Sequence, residues 1–177
     1  MQQVVDAIGR ADFGSVQQGP VAPGQGGNTG GGGGGDTGTP SDSDRVETVV
    51  NRALSQLGKP YAWGGGDANG PTRGIRDGGV ADAHGDYNKI GFDCSGLMIY
   101  AFAGIGKALP HYTGYQYTAG PQYPVSERQR GDMLFWPGHV ALYLGDGQMV
   151  EAPQSGDVVK ISPVRMAGIS PMVVRLT

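Results

Sequence analysis

The chain contains one cysteine, Cys94, and three histidines, His84, His111 and His139. A thiol attacks as its thiolate, and the N-terminus of a helix favours that anion through partial positive charge and free N–H groups. In Phe92-Asp93-Cys94-Ser95-Gly96 the cysteine stands where irregular chain enters a predicted helix over residues 94–103. Such a setting brings a cysteine pKa from about 8.5 to between about 3.5 and 7.5, and the same amides suit an oxyanion. The alternative for a lone cysteine is a buried core residue. Its place at the helix start, beside Asp93 and Ser95 and not midway along the apolar face, favours the nucleophile.

A nucleophilic thiol needs a base and a group that orients the base. His139 opens a predicted strand in which Val140, Leu142 and Leu144 alternate toward one face, leaving His139, Ala141 and Tyr143 on the other. Gly145-Asp146-Gly147 is a hairpin signal. With a three-residue loop, Leu144 pairs with Gln148 and Ala141 with Glu151, which makes Glu151 a diagonal neighbour of His139. A two-residue loop without a bulge turns Glu151 to the opposite face. A Cys94, His139, Glu151 triad therefore predicts a hairpin register.

His84 lies in a polar loop and reads as solvated, while His111 reads as a surface histidine in an aromatic segment or as a cleft residue. Asp77, Asp82 and Asp86 lack the spacing of an oxygen cage for calcium and read as solvated loop acids. One cysteine and three irregularly spaced histidines make a poor zinc set. No metal and no cofactor are expected, and no intramolecular disulfide can form.

The elements that must position these groups follow from periodicity. Val46, Val49, Val50, Ala53, Leu54 and Leu57 recur at helical spacing over residues 45–57, with Asp44 as expected cap, Glu47 three positions on, and Gly58 and Pro60 as stop. Residues 64–91 form a long Gly- and Asp-rich loop, of a length that usually serves a site. The helix at 94–103 is apolar nearly all round and should be buried. Strands are expected at 132–136, 139–144, 148–152, 158–161 and 173–176. Helices first and strands second argue an α+β fold, with the helices packed on one side of a small curled, mostly antiparallel sheet of five to six strands.

Residues 19–44 are almost wholly Gly, Pro, Thr, Ser, Asn, Gln and Asp, the composition of a flexible linker. They divide a short N-terminal segment, residues 1–18, from a domain at residues 45–177. Val4, Val5 and Ile8 look like the remnant of an upstream element. A linker of about 26 residues spans roughly 25 to 30 Å, enough to bring that segment across a cleft on the domain. Residues 1–44 hold one Arg and five Asp, whereas residues 45–177 hold twelve Lys and Arg against eleven Asp and Glu. This near-neutral domain, with no basic stripe, excludes a nucleic-acid surface, and no apolar run approaches the roughly 20 residues of a membrane span. Residues 1–16 carry acids among their apolar positions and no continuous signal-peptide core, so either export uses a segment outside this sequence or Met1 is an artefact of truncation.

The domain resembles the NlpC-type peptidoglycan endopeptidases, most closely the actinobacterial proteins that separate daughter cells. The resemblance rests on Pro60-Tyr61-Ala62-Trp63-Gly64-Gly65, Phe92-Asp93-Cys94-Ser95-Gly96, Arg130-Gly131-Asp132 and Gly138-His139-Val140-Ala141-Leu142-Tyr143-Leu144-Gly145, in that order. It implies a trimmed papain-like fold and hydrolysis of the stem-peptide bond between D-γ-glutamate and meso-diaminopimelate through an acyl-enzyme on Cys94. His139 would carry the proton and Glu151 would hold the imidazole. Tyr61 would help the Cys94 amide bind the oxyanion, or else be an aromatic core residue. Asp93 and Ser95 would contact substrate, Asp93 alternatively serving as a local cap, and Thr113 stands where many relatives carry serine. The resemblance further implies a secreted or wall-bound monomer whose partners are stem peptides and other wall hydrolases. A wall-binding module without catalysis and an acyl or amide transferase are the rival functions on the same fold.

Overall fold

The computed structural model describes residues 39–177. The readings of the N-terminal segment and of most of the linker lie outside the described residues. Helix α1 spans Asp42–Leu54 and starts three residues earlier than its apolar periodicity indicates. Its cap is Ser41 and not Asp44: the Asp44 amide donates to Ser41 Oγ at 3.1 Å, and the Asp44 carboxylate accepts from the Ser41 amide at 3.2 Å. This is a capping box in which Asp44 fills the third helical position. Glu47, freed from capping, accepts two hydrogen bonds from Arg130, at 2.8 and 3.1 Å.

Two-residue strands β1 (Thr72–Arg73) and β2 (Ile90–Gly91) pair antiparallel within the long loop and enclose the single-turn helix α2 (Val80–Ala83). The loop is thus folded on its own ladder, and its acids hold it together. Asp86 is fully buried and accepts from the Trp63 amide at 3.1 Å, Ser155 Oγ at 2.7 Å and Lys89 Nζ at 3.2 Å. The expectation of a solvated Asp86 is therefore corrected: a buried carboxylate is tolerated because both of its oxygens meet donors, one of them the Lys89 cation. Asp77 and Asp82 are also engaged, with Trp63 Nε1 and the Gly78 amide, each at 2.8 Å.

Helix α3 (Cys94–Ala103) has the expected bounds and buries Leu97, Met98, Ala101 and Phe102 completely against α1 and the sheet. It begins in very close contact with the Gly64–Gly66 turn: a Cβ on Gly96 would strike the Gly65 carbonyl oxygen. That approach leaves no room for a side chain at Gly96 or at Gly66. After α3 come the single-turn helix α4 (Thr113–Gln116) and strand β3 (Gln122–Pro124). Strands β4 (Met133–Trp136), β5 (His139–Gly145), β6 (Gln148–Glu151), β7 (Lys160–Pro163) and β8 (Met172–Val174) complete an antiparallel sheet in the order β3-β8-β4-β5-β6-β7. Strand β3 has no apolar alternation and is exposed throughout, so pairing to β8 is its only signature. Strand β7 lies two residues beyond its expected position, because Val158 bridges to Pro60 instead.

Both faces of the sheet are covered. Val140, Leu142, Met133 and Val150 meet α1 and α3, while Leu134, Ala141, Tyr143 and Met149 form a second small core under Val125, Trp136, Val164 and Ile169. The helices occupy one face as expected, and connecting segments cover the other.

The β5–β6 hairpin turns on two residues rather than three. Asp146 and Gly147 have φ of 51° and 72°, the left-handed pair of a type I′ turn. Gly145 pairs with Gln148 and Tyr143 with Met149, so Leu144 is bulged out of the ladder. The bulge restores the register beyond it, and Leu142 pairs with Val150. Glu151 consequently faces the same side as His139, the outcome expected from a different loop. Arg130 donates to the Leu144 carbonyl at 2.7 Å, which ties the bulge to Glu47 on α1. Among the described residues no helix is long and apolar enough to cross a membrane.

Candidate active site

Cys94 is the first residue of α3 and is almost wholly buried. Its Sγ donates to the Gly138 carbonyl at 3.9 Å, and the amides of Val140, Ser95 and Cys94 itself point at the sulfur. The thiol therefore rests on the backbone on either side of His139. The expectation of a depressed thiol pKa is overturned: burial first, then the Asp93 carboxylate, push it up to about 12 against the pull of those three amides. The reason is local. Asp93 is the N-cap of α3, so the helix end that would attract a sulfur anion already carries a carboxylate, and little water reaches the site.

His139 sits at the mouth of β5, with its ring 5.6 Å from that of Trp136, its ladder partner on β4. Its Nε2 is hydrogen-bonded to Glu151 Oε2 at 2.9 Å. Glu151 is fully buried, and both its oxygens are saturated: Oε1 accepts from Ser162 Oγ at 3.1 Å and Arg165 at 2.9 Å, Oε2 from His139 and from Arg165 at 2.6 Å. Burial raises its pKa, but hydrogen bonds from His139 and Arg165, with their charges, bring it down to about 2. An open cavity of about 630 Å³ adjoins this pair, lined by Trp136, His139, Glu151, Gln154, Lys160 and Arg165.

Tyr61 is buried in the same cluster as Cys94, which is compatible with both of its expected roles. Burial, and then the charges of Cys94, Asp93 and Asp86, push its hydroxyl pKa upward, so it stays a proton donor. Asp93 is a cap with little capacity left for a ligand: Oδ1 accepts from the Gly96 amide at 2.8 Å and Ser95 Oγ at 3.2 Å, and Oδ2 accepts from the Gly64 amide at 3.0 Å. Ser95 is buried, and its carbonyl accepts from Gln116 Nε2 at 3.1 Å. Thr113 opens α4, half-buried. His84 is exposed, as expected.

Both readings of His111 find support: the residue is exposed, and its ring reaches the cap of α3. Its Nε2 lies 2.7 Å from Asp93 Oδ1, and that hydrogen bond raises the imidazole pKa despite burial. Arg165, Gln116 and the His111–Asp93 pair were missed by the reading of motifs, since each acts through a partner far along the chain. Among the described residues no cluster of His, Cys, Asp or Glu is arranged to hold a metal ion.

A family model for NlpC/P60 matches residues 58–177. The chain belongs to the NlpC/P60 family. Within this family it is 53% identical over 137 residues to the peptidoglycan endopeptidase RipA of Mycolicibacterium smegmatis, a match covering 75% of this chain and 26% of that protein. The chain thus spans about a quarter of RipA's length. Solved RipA structures mutated at a cysteine, a histidine or a glutamate match at 47% identity and TM-score 0.69, over 75% of this chain and 62% of theirs. RipD of Mycobacterium tuberculosis, described as a non-catalytic NlpC/p60 domain protein adapted to peptidoglycan binding, matches at 42% identity and TM-score 0.66, over 75% of this chain and 98% of that one.

Proposed function

We propose that this NlpC/P60 domain is a cysteine peptidase of the bacterial cell wall, acting on the bond between D-γ-glutamate and meso-diaminopimelate in stem peptides. One observation carries the chemistry: the only thiol lies against the Gly138–Val140 backbone, and the imidazole between them has its Nε2 fixed by a buried carboxylate. With Nε2 held by Glu151, Nδ1 is the nitrogen that takes the thiol proton. Sγ attacks the scissile carbonyl, and the developing oxyanion is held by the Cys94 amide and the Tyr61 hydroxyl. The imidazolium returns its proton to the departing amine, leaving a thioester that water hydrolyses with His139 again as base. Glu151 stabilises the transient imidazolium and fixes its orientation.

The likeness to RipA, whose name specifies a peptidoglycan endopeptidase, supports the substrate class. RipD is the counter-example on the same fold, and the complete Cys94, His139, Glu151 set favours catalysis here. Purified wall digested with the protein, followed by mass spectrometry of soluble fragments, tests the reading. New N-terminal diaminopimelate that is absent with Cys94→Ala supports it. Binding to wall without fragments assigns a recognition module instead, and fragments joined to an added amine assign a transferase.

A further inference from the structure

We propose that Arg165 is a positioning residue of this site, locking Glu151 as an anion in the one orientation that leaves Oε2 to His139. The inference rests on the peptidase reading above and deepens it. The guanidinium grips the carboxylate with both terminal nitrogens, at 2.9 Å to Oε1 and 2.6 Å to Oε2. A bidentate fork of this kind fixes the plane of the carboxylate as well as its charge. Oε2 then has one further acceptor direction, and the His139 Nε2 proton fills it at 2.9 Å.

Arg165 is itself held. Its carbonyl accepts from Trp136 Nε1 at 2.9 Å, and its guanidinium lies 5.5 Å from the Trp136 ring centre. Trp136 lies against His139, so Arg165, Glu151, His139 and Trp136 form a closed circuit joining the segment after β7 to the ends of β4, β5 and β6. The other charged groups near Glu151 are Lys160 and Asp157, and they neutralise each other at 2.7 Å. Ser162 contributes a neutral donor only. Arg165 is therefore the permanent countercharge to Glu151 among the described residues. Without it a fully buried carboxylate would take up a proton more readily, and a neutral carboxyl neither fixes the tautomer of His139 nor stabilises its imidazolium.

The test uses the full chain with Arg165→Met and Arg165→Lys, assayed on wall fragments across pH beside wild type and Cys94→Ala. In Arg165→Met we expect kcat to fall tenfold or more with KM within twofold, and the acid limb of kcat/KM to move to higher pH. Arg165→Lys retains an intermediate rate. Because half of the Arg165 side chain is exposed at the open cavity, guanidinium at millimolar concentration should restore part of the Arg165→Met rate, and urea should not. Ring nitrogen NMR of His139 provides a readout that needs no turnover: a single Nε2–H tautomer in wild type, mixed in Arg165→Met. A wild-type protein inactive on wall sinks the peptidase reading alone, and the tautomer spectra still decide the role of Arg165. Unchanged tautomer, unchanged pH profile, or a rise in KM with kcat intact would overturn the proposal. If Arg165→Met does not fold, the same criteria apply to Arg165→Lys.

Discussion

Replacing Glu151 by glutamine removes one charge at nearly constant shape, and the surrounding geometry dictates how the amide must sit. An amide nitrogen at ε2 would face the Arg165 guanidinium and force His139 Nε2 to act as acceptor, placing the proton on the wrong ring nitrogen. An amide nitrogen at ε1 faces Ser162 Oγ, which can accept, and one Arg165 nitrogen, which cannot. The second orientation wins and sacrifices one arginine bond and the charge. The folded carboxyl titrates at about 2 against a usual 4.5, a difference worth about 3 kcal/mol of stability at neutral pH. The sign follows from a depressed folded value: the stabilisation is complete above the unfolded pKa and is lost as pH falls from about 4.5 toward 2. Urea melts followed by tryptophan fluorescence should find Glu151→Gln about 3 kcal/mol less stable than wild type at pH 7, narrowing to about 2 kcal/mol at pH 3.5. A gap under about 1 kcal/mol at pH 7, or one independent of pH, would refute the saturated-carboxylate account.

Iodoacetamide should label Cys94 in the resting protein slowly at neutral pH, with a rate still climbing above pH 9; a plateau between pH 6 and 9 would reveal a preformed thiolate that burial and Asp93 do not suppress. Arg130→Met should cost about 1 to 3 kcal/mol, because it orphans the Leu144 carbonyl of the bulge while its exposed pairing with Glu47 adds little. A loss under about 0.5 kcal/mol in a chemical melt would mean the bulge holds its own register. Ser41→Ala should lower stability by about 1 kcal/mol through loss of the α1 cap, with wall cleavage unchanged.

Residues that act on near neighbours were legible, and those that act through the fold were not. The α3 bounds and the strand at His139 follow from local pattern, since period is a property of short segments, whereas the side taken by Glu151 agrees only because the Leu144 bulge offsets a loop one residue shorter than expected. The bulge at Leu144 was invisible because its support is Arg130, fourteen residues earlier and itself anchored to α1. Asp86 reads as an ordinary loop acid until the fold brings Ser155 against it. Strand β3 carries no apolar pattern because both its faces are exposed, and only β8 makes it a strand.

The same distinction explains why the thiol was expected to be acidic. Helix position alone argues for a thiolate, but burial, and then the carboxylate of Asp93 that caps the helix, outweigh the helix end. A thiol near 12 is about five pKa units from ionising at neutral pH, roughly 7 kcal/mol if the proton went to water. The proposed reaction therefore does not proceed from a free thiolate. It requires the proton to pass to His139 as the carbonyl arrives, so that the charge leaving sulfur appears on the oxyanion and the countercharge on an imidazole already backed by Glu151. Alkylation in the presence of a non-cleavable stem-peptide analogue too short to cover the sulfur should accordingly outpace alkylation of the free protein at pH 7. Equal rates would return the burden of activation to the resting site.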